Sequence, residues 1–129
     1  DCKEFSNGIF EGIKEEDLQK KVFNPPYETS GFKFENGTDL WAAYSSFDPK
    51  YDTISYPKGE TKEQARNRFM NAIENYIKEN PNIQNLAVVA HGAVIRFLLS
   101  KVCPETLKEK IKNAETRIIY YDNKKGFFV

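Results

Sequence analysis

Apolar and polar positions change rhythm several times along this chain, and each change marks an element. The clearest run is Leu86-Ala87-Val88-Val89-Ala90, a short apolar stretch rich in valine that predicts a buried parallel strand. Past His91-Gly92 the apolar residues recur at helical spacing, which predicts a helix from Ala93 to about Val102. Upstream, Thr61 with Gln64 three residues on is a capping box. Ala65, Phe69, Ala72, Ile73, Tyr76 and Ile77 then mark one face of a helix that Asn80-Pro81-Asn82 ends. Pro104 suits the first turn of a further helix, Pro104–Ile111. Arg117–Tyr121 alternates and is β-rich, and Asn123-Lys124-Lys125-Gly126 reads as a hairpin turn into Phe127-Phe128-Val129.

The front of the chain is less regular. Residues 1–12 form a polar loop with Glu4, Asn7, Gly8, Glu11 and Gly12. Glu15 to Val22 suits a short helix, stopped by Asn24-Pro25-Pro26. Residues 27–58 are aromatic and broken by Gly31, Gly37, Pro49 and Pro57, with one helical turn or two over Leu40–Phe47. So long a connection is expected either to act as a lid or specificity insert, or to pack as an irregular excursion over an apolar face. Helix, parallel strand, helix and terminal hairpin make the back half of an α/β layered fold. The strands are too few for a parallel sheet, so a preceding part is expected.

Composition narrows the class. The 129 residues suit a single domain, 1–129, and 40% apolar content is enough for a core. Nineteen basic and nineteen acidic side chains cancel, which argues against nucleic acid or an anionic membrane as the main partner. No apolar run approaches the ~20 residues of a membrane span, and the start has no signal-peptide pattern. Cys2 and Cys103 are far apart without metal-ligand spacing, and suit reduced thiols of a cytoplasmic protein. The chain opens on Asp1 without a flexible lead-in, as a fragment, a processed chain or a trimmed one would.

His91 is the only histidine. A strand that ends in His-Gly and turns into a helix places the imidazole at the carboxyl edge of a sheet, where open α/β sheets bind ligands. The helix amino end adds unpaired N–H groups and partial positive charge, so an anion, phosphate above all, suits the place. A buried structural histidine, bonded to a neighbouring carbonyl, is the other reading of the same pattern.

Three patterns line up: Glu4-Phe5-Ser6-Asn7-Gly8-Ile9-Phe10-Glu11-Gly12; Tyr56-Pro57-Lys58-Gly59-Glu60-Thr61 followed by Arg68; and Val88-Val89-Ala90-His91-Gly92-Ala93-Val94-Ile95-Arg96. In this order and spacing the chain resembles the histidine phosphatase superfamily, the phosphoglycerate mutase-like family, and within it the small bacterial-type phosphatases. The resemblance covers Lys3 to Tyr121 and is most specific in the third pattern.

The resemblance implies a three-layer α/β/α phosphoglycerate mutase-like fold with the amino-terminal strand or strands missing. It implies phosphomonoester hydrolysis, or phosphomutase chemistry, through a phosphohistidine formed on an Arg-His-Gly motif. It makes His91 the second histidine, donating to phosphoryl oxygens, and Glu4 the acid that protonates the leaving oxygen and then helps water attack. Gly92, Ala93 and Asn7 are the implied phosphate- or substrate-binding positions. No metal or other cofactor is implied, because a cationic pocket and helix ends neutralise the transition state.

Phosphoryl transfer does need positive charge around the equatorial oxygens and an acid in line with the leaving group. Glu11 is an alternative to Glu4, and either could be a solvated loop carboxylate. Glu60 reads as a helix-start residue that also hydrogen-bonds inward. Arg68 and Arg96 read as surface ion pairs rather than phosphate contacts. Phe10 stands where many small members carry tryptophan. The departure that matters is the absence of Arg-His-Gly and of a second histidine in this sequence. The nucleophile and its strand would then precede Asp1, and this chain alone would not turn over.

The expected partner is a small phosphorylated substrate, small organic esters suiting the aromatic 27–58 region. A homodimer through the Phe127-Phe128-Val129 edge is a further expectation. Two other readings stand beside the enzyme: an inactive relative that binds a phosphate ligand or a protein, and an unrelated α/β domain with a core histidine.

Overall fold

The computed structural model describes residues 2–17, 25–105 and 111–129. They form two compact units, Phe5–Ala65 and Asp1–Glu4 with Arg66–Val129.

The Phe5–Ala65 unit is organised by aromatic side chains. A hairpin pairs β1 (Tyr27–Thr29) with β2 (Phe32–Phe34), register Tyr27↔Phe34 and Thr29↔Phe32. Its two loop residues, Ser30 and Gly31, both have positive φ (50° and 79°), the geometry that matches strand twist in a tight hairpin. Helix α1 (Gly37–Ser45) follows, capped by the Asn36 side chain, which accepts from the Asp39 N–H at 2.9 Å. The helix thus starts earlier than the Leu40 expected from apolar spacing, and it stops before Phe47, whose φ of 56° is not helical.

Tyr44 stacks on Tyr56 (4.7 Å between centroids) and on Phe5 (5.3 Å), while Phe10 meets Tyr27 and Tyr56 edge-on at 5.5 and 5.1 Å. Phe10, Tyr27, Phe34, Leu40, Tyr44, Ile54 and Tyr56 are all buried. Residues 27–58 are therefore packed structure with a core of their own. Lys62 is also buried, 4.0 Å from Asp52 and facing the Tyr44 and Phe47 rings.

The loop over residues 6–11 is clasped to residues 57–60. Ile9 N–H donates to Pro57 O (3.0 Å), Glu60 N–H to Ser6 O (3.0 Å), and Ser6 N–H to Glu60 Oε2 (3.0 Å). Gly8, at φ 56°, lies so close to the Pro57–Gly59 backbone that a Cβ there would overlap it. The capping box forms as expected: Gln64 N–H donates to Thr61 Oγ1 (3.0 Å) and Thr61 N–H to Gln64 Oε1 (2.9 Å). It starts α2, Lys62–Glu79, whose first turn belongs to this unit and the rest to the next.

In the second unit, Phe69 on the predicted face of α2 is buried, whereas Tyr76 is exposed. The face is covered only over its early part. Helix α3 spans Gly92–Val102 and buries Val94, Phe97, Leu98 and Leu99. Arg66 of α2 donates to Ser100 Oγ of α3 (3.4 Å).

The predicted strand Leu86–Ala90 is not one here. The segment has no strand assignment, and Val89 is 94% exposed. A strand exists through its neighbours, and both described sheets are two-stranded antiparallel hairpins that do not include it. The parallel sheet expected from the sequence is thus not formed among the described residues. The terminal hairpin is present: β3 (Tyr120–Asp122) pairs β4 (Gly126–Phe128). Asp122 Oδ1 accepts from Lys124 and Lys125 N–H at 2.8 and 3.0 Å, which fixes the turn. The strand begins at Tyr120 rather than Arg117, because β4 offers only three rungs; Ile118 lies outside the ladder, 72% exposed.

Of the predicted helix 15–22, Glu15–Asp17 is a single 3-10 turn and the remainder lies outside the described residues, as does most of 104–111. Cys2 and Cys103 are not joined in a disulfide. No described helix is long and apolar enough to cross a membrane.

Candidate active site

His91 sits where an extended segment becomes a helix. Its φ and ψ of −91° and 152° are those of an N-cap, and its carbonyl already accepts the Ile95 N–H at 3.2 Å. Its side chain makes no capping bond, so the ring is not spent on the helix end. Gly92 and Ala93 open α3, where main-chain N–H groups have no intrahelical acceptor. The core-histidine reading fails on exposure: the His91 side chain is 60% exposed.

Glu4 faces this ring. Its Oε2 stands 4.0 Å from His91 Nδ1, and its side chain is 38% exposed. That separation is longer than a hydrogen bond but close enough for electrostatic coupling. With the carboxylate on the Nδ1 side, Nε2 is the edge opposite it.

Arg68, on the second turn of α2, holds the backbone that carries Glu4. Nη1 donates to Lys3 O at 3.2 Å and Nη2 to Glu4 O at 3.3 Å. Arg68 thus grips main chain at this point. Arg96 on α3 is half-buried, and burial pulls its guanidinium below the ordinary arginine range.

Asn7 belongs to the other unit. It precedes the 3-10 turn Gly8–Phe10, and its N–H donates to Glu11 Oε1 at 2.6 Å. Glu11 is therefore a brace of its own loop, and Glu4 is the carboxylate at the histidine. Glu60 bonds inward, to the Ser6 N–H, as its place in the sequence implied.

The structure thus brings Glu4, His91, Gly92 and Ala93 together within one unit. Arg68 is the contributor that sequence reasoning undervalued. Its only signal was its position after the Gly59-Glu60-Thr61 pattern, and a carbonyl grip leaves no trace in residue type. Among the described residues no group of three or more His, Cys, Asp or Glu side chains could hold a metal ion. An acid beside an imidazole at a helix amino end can bind an anion and hand a proton to an oxygen on it.

The family model of the histidine phosphatase superfamily (branch 1) matches residues 1–129, and the chain belongs to that superfamily. The family carries an α/β fold and is generally enzymatic, of phosphatase or mutase type. No curated protein and no solved structure matches the chain.

Proposed function

We propose that the protein is a phosphomonoester hydrolase, or a phosphomutase, of the histidine phosphatase type, with Glu4 as acid and His91 as phosphoryl ligand. The observation that carries this is the 4.0 Å approach of Glu4 Oε2 to His91 Nδ1 at the start of α3. The nucleophile is a second histidine, on an Arg-His-Gly segment outside these 129 residues. In the first step its ring nitrogen takes the phosphoryl group from the ester, and the alkoxide leaves with the Glu4 proton. In the second, the Glu4 carboxylate takes a proton from water as the water oxygen attacks phosphorus, releasing phosphate and the free histidine. His91 and the Gly92 and Ala93 N–H groups meet the charge on the equatorial oxygens.

The complete fold we propose is the three-layer α/β/α arrangement, with 1–129 as part of a single domain. The bare segment Leu86–Ala90, apolar and exposed, supports a sheet completed by strands from elsewhere. A small phosphorylated substrate, a cytoplasmic setting and pairing of a second copy at the β4 edge complete the reading. Thiols not joined in a disulfide fit that setting.

Protein purified from its own cells tests this. We expect an intact mass well above 14.9 kDa, metal-independent hydrolysis of phosphomonoesters, and an acid-labile phosphoenzyme. A mass near 14.9 kDa without turnover refutes it. The single histidine would then favour the second reading, an inactive relative that binds a phosphate ligand or a protein.

A further inference from the structure

We infer that Arg68 is a positioning residue: its grip on the Lys3 and Glu4 carbonyls sets the Glu4 carboxylate beside the Nδ1 edge of His91. The inference rests on the roles proposed for Glu4 and His91.

Glu4 has no regular structure to hold it, because residues 2–7 lie in neither helix nor strand. A residue outside helix and strand can sample more conformations, and only a fraction of them put the carboxylate at the ring. Arg68 removes that freedom. Two nitrogens of one planar guanidinium bond two successive carbonyls, at 3.2 and 3.3 Å, which fixes both the position and the tilt of the intervening peptide. Arg68 itself is anchored, since it lies within the eighteen-residue helix α2 next to the buried Phe69. A lysine would supply one point of contact where the arginine fork supplies two.

The ring of His91, the only histidine, reports directly on this arrangement. A carboxylate at Nδ1 polarises that nitrogen and biases the proton toward it. Nitrogen shifts of the imidazole, recorded without ligand at one fixed pH, are compared for the wild type, Glu4→Gln, Arg68→Met, Arg68→Lys and the Glu4→Gln/Arg68→Met double variant. We expect Arg68→Met to move the Nδ1 signal in the same direction as Glu4→Gln, and to add nothing in the Glu4→Gln background. Arg68→Lys should restore part of the shift; it also serves if Arg68→Met fails to fold.

An Nδ1 signal unmoved by Arg68→Met and Arg68→Lys overturns the inference, as does an additive double variant. A titration with inorganic phosphate separates the remaining cases. Phosphate affinity that falls in Arg68→Met while the ring signals stay in place makes Arg68 a phosphate contact, and overturns positioning. Phosphate affinity indifferent to His91→Ala sinks the functional reading instead, while the ligand-free coupling still decides the role of Arg68.

Discussion

Replacing Gly8 with alanine should dismantle the clasp between residues 6–11 and 57–60. Two separate costs add. Gly8 has φ 56°, and a residue with a Cβ pays about 1–2 kcal/mol in that conformation. The added carbon would also overlap the Pro57 carbonyl and the Gly59 N–H, which are backbone and cannot rotate away. The loops must separate, and the bonds Ile9 N–H to Pro57 O, Glu60 N–H to Ser6 O and Ser6 N–H to Glu60 Oε2 are lost or stretched. At about 1 kcal/mol each, these three bring the total to about 4–5 kcal/mol, a large share of the 5–15 kcal/mol typical of a whole domain.

Gly12 is the matched control. Its φ is also positive, at 73°, but nothing lies within 4 Å of its missing Cβ. Gly12→Ala should cost about 1 kcal/mol or less, after the gain from a stiffer unfolded chain of about 0.4–1 kcal/mol. Urea unfolding followed by the fluorescence of Trp41, the only tryptophan, reads both variants from within the same unit. Equal stabilities for Gly8→Ala and Gly12→Ala would refute the argument, because they differ only in what the Cβ meets.

Burial raises the Tyr56 hydroxyl well above its ordinary pKa. Its contribution to stability is complete below the ordinary tyrosine value of about 10 and falls as pH rises toward the folded value, by up to about 1.4 kcal/mol per pH unit. Alkaline unfolding should therefore begin above about pH 10 and become shallower in Tyr56→Phe; an identical pH curve counts against the burial. Val89, 94% exposed, should tolerate lysine in this chain with a change within about 0.5 kcal/mol in thermal unfolding. In a chain that carries the proposed upstream segment, the same substitution should abolish folding or activity if Leu86–Ala90 is a sheet strand there, and indifference in both settings would remove the sheet-completion argument.

The elements that declared themselves in the sequence are those whose causes are local. The Thr61–Gln64 box, the apolar stripe of α3 and the Asp122–Gly126 turn depend on residues three or four apart, and each stands as expected. The β1–β2 hairpin was also local, but its turn is Ser30-Gly31 rather than the stronger Asn-Gly or Asp-Gly signal, and it hid in an aromatic stretch. Leu86–Ala90 failed for the opposite reason. Its apolar run is a statement about neighbours on both faces, and no described strand supplies them. At the candidate site, His91 stood out as the only histidine at the start of a helix, and Glu4 was singled out by the family resemblance; the structure puts the two 4.0 Å apart. The hold of Arg68 on two carbonyls was not legible, since main-chain acceptors are the same at every residue.

Inorganic phosphate titrated into this chain, with the His91 ring and the Gly92 and Ala93 amides observed by NMR, tests the central claim most directly. The account predicts a saturable shift of these signals that is at least about tenfold weaker, or about 1.4 kcal/mol, in His91→Ala. Signals that do not move, or an affinity unchanged by the loss of His91, would contradict it.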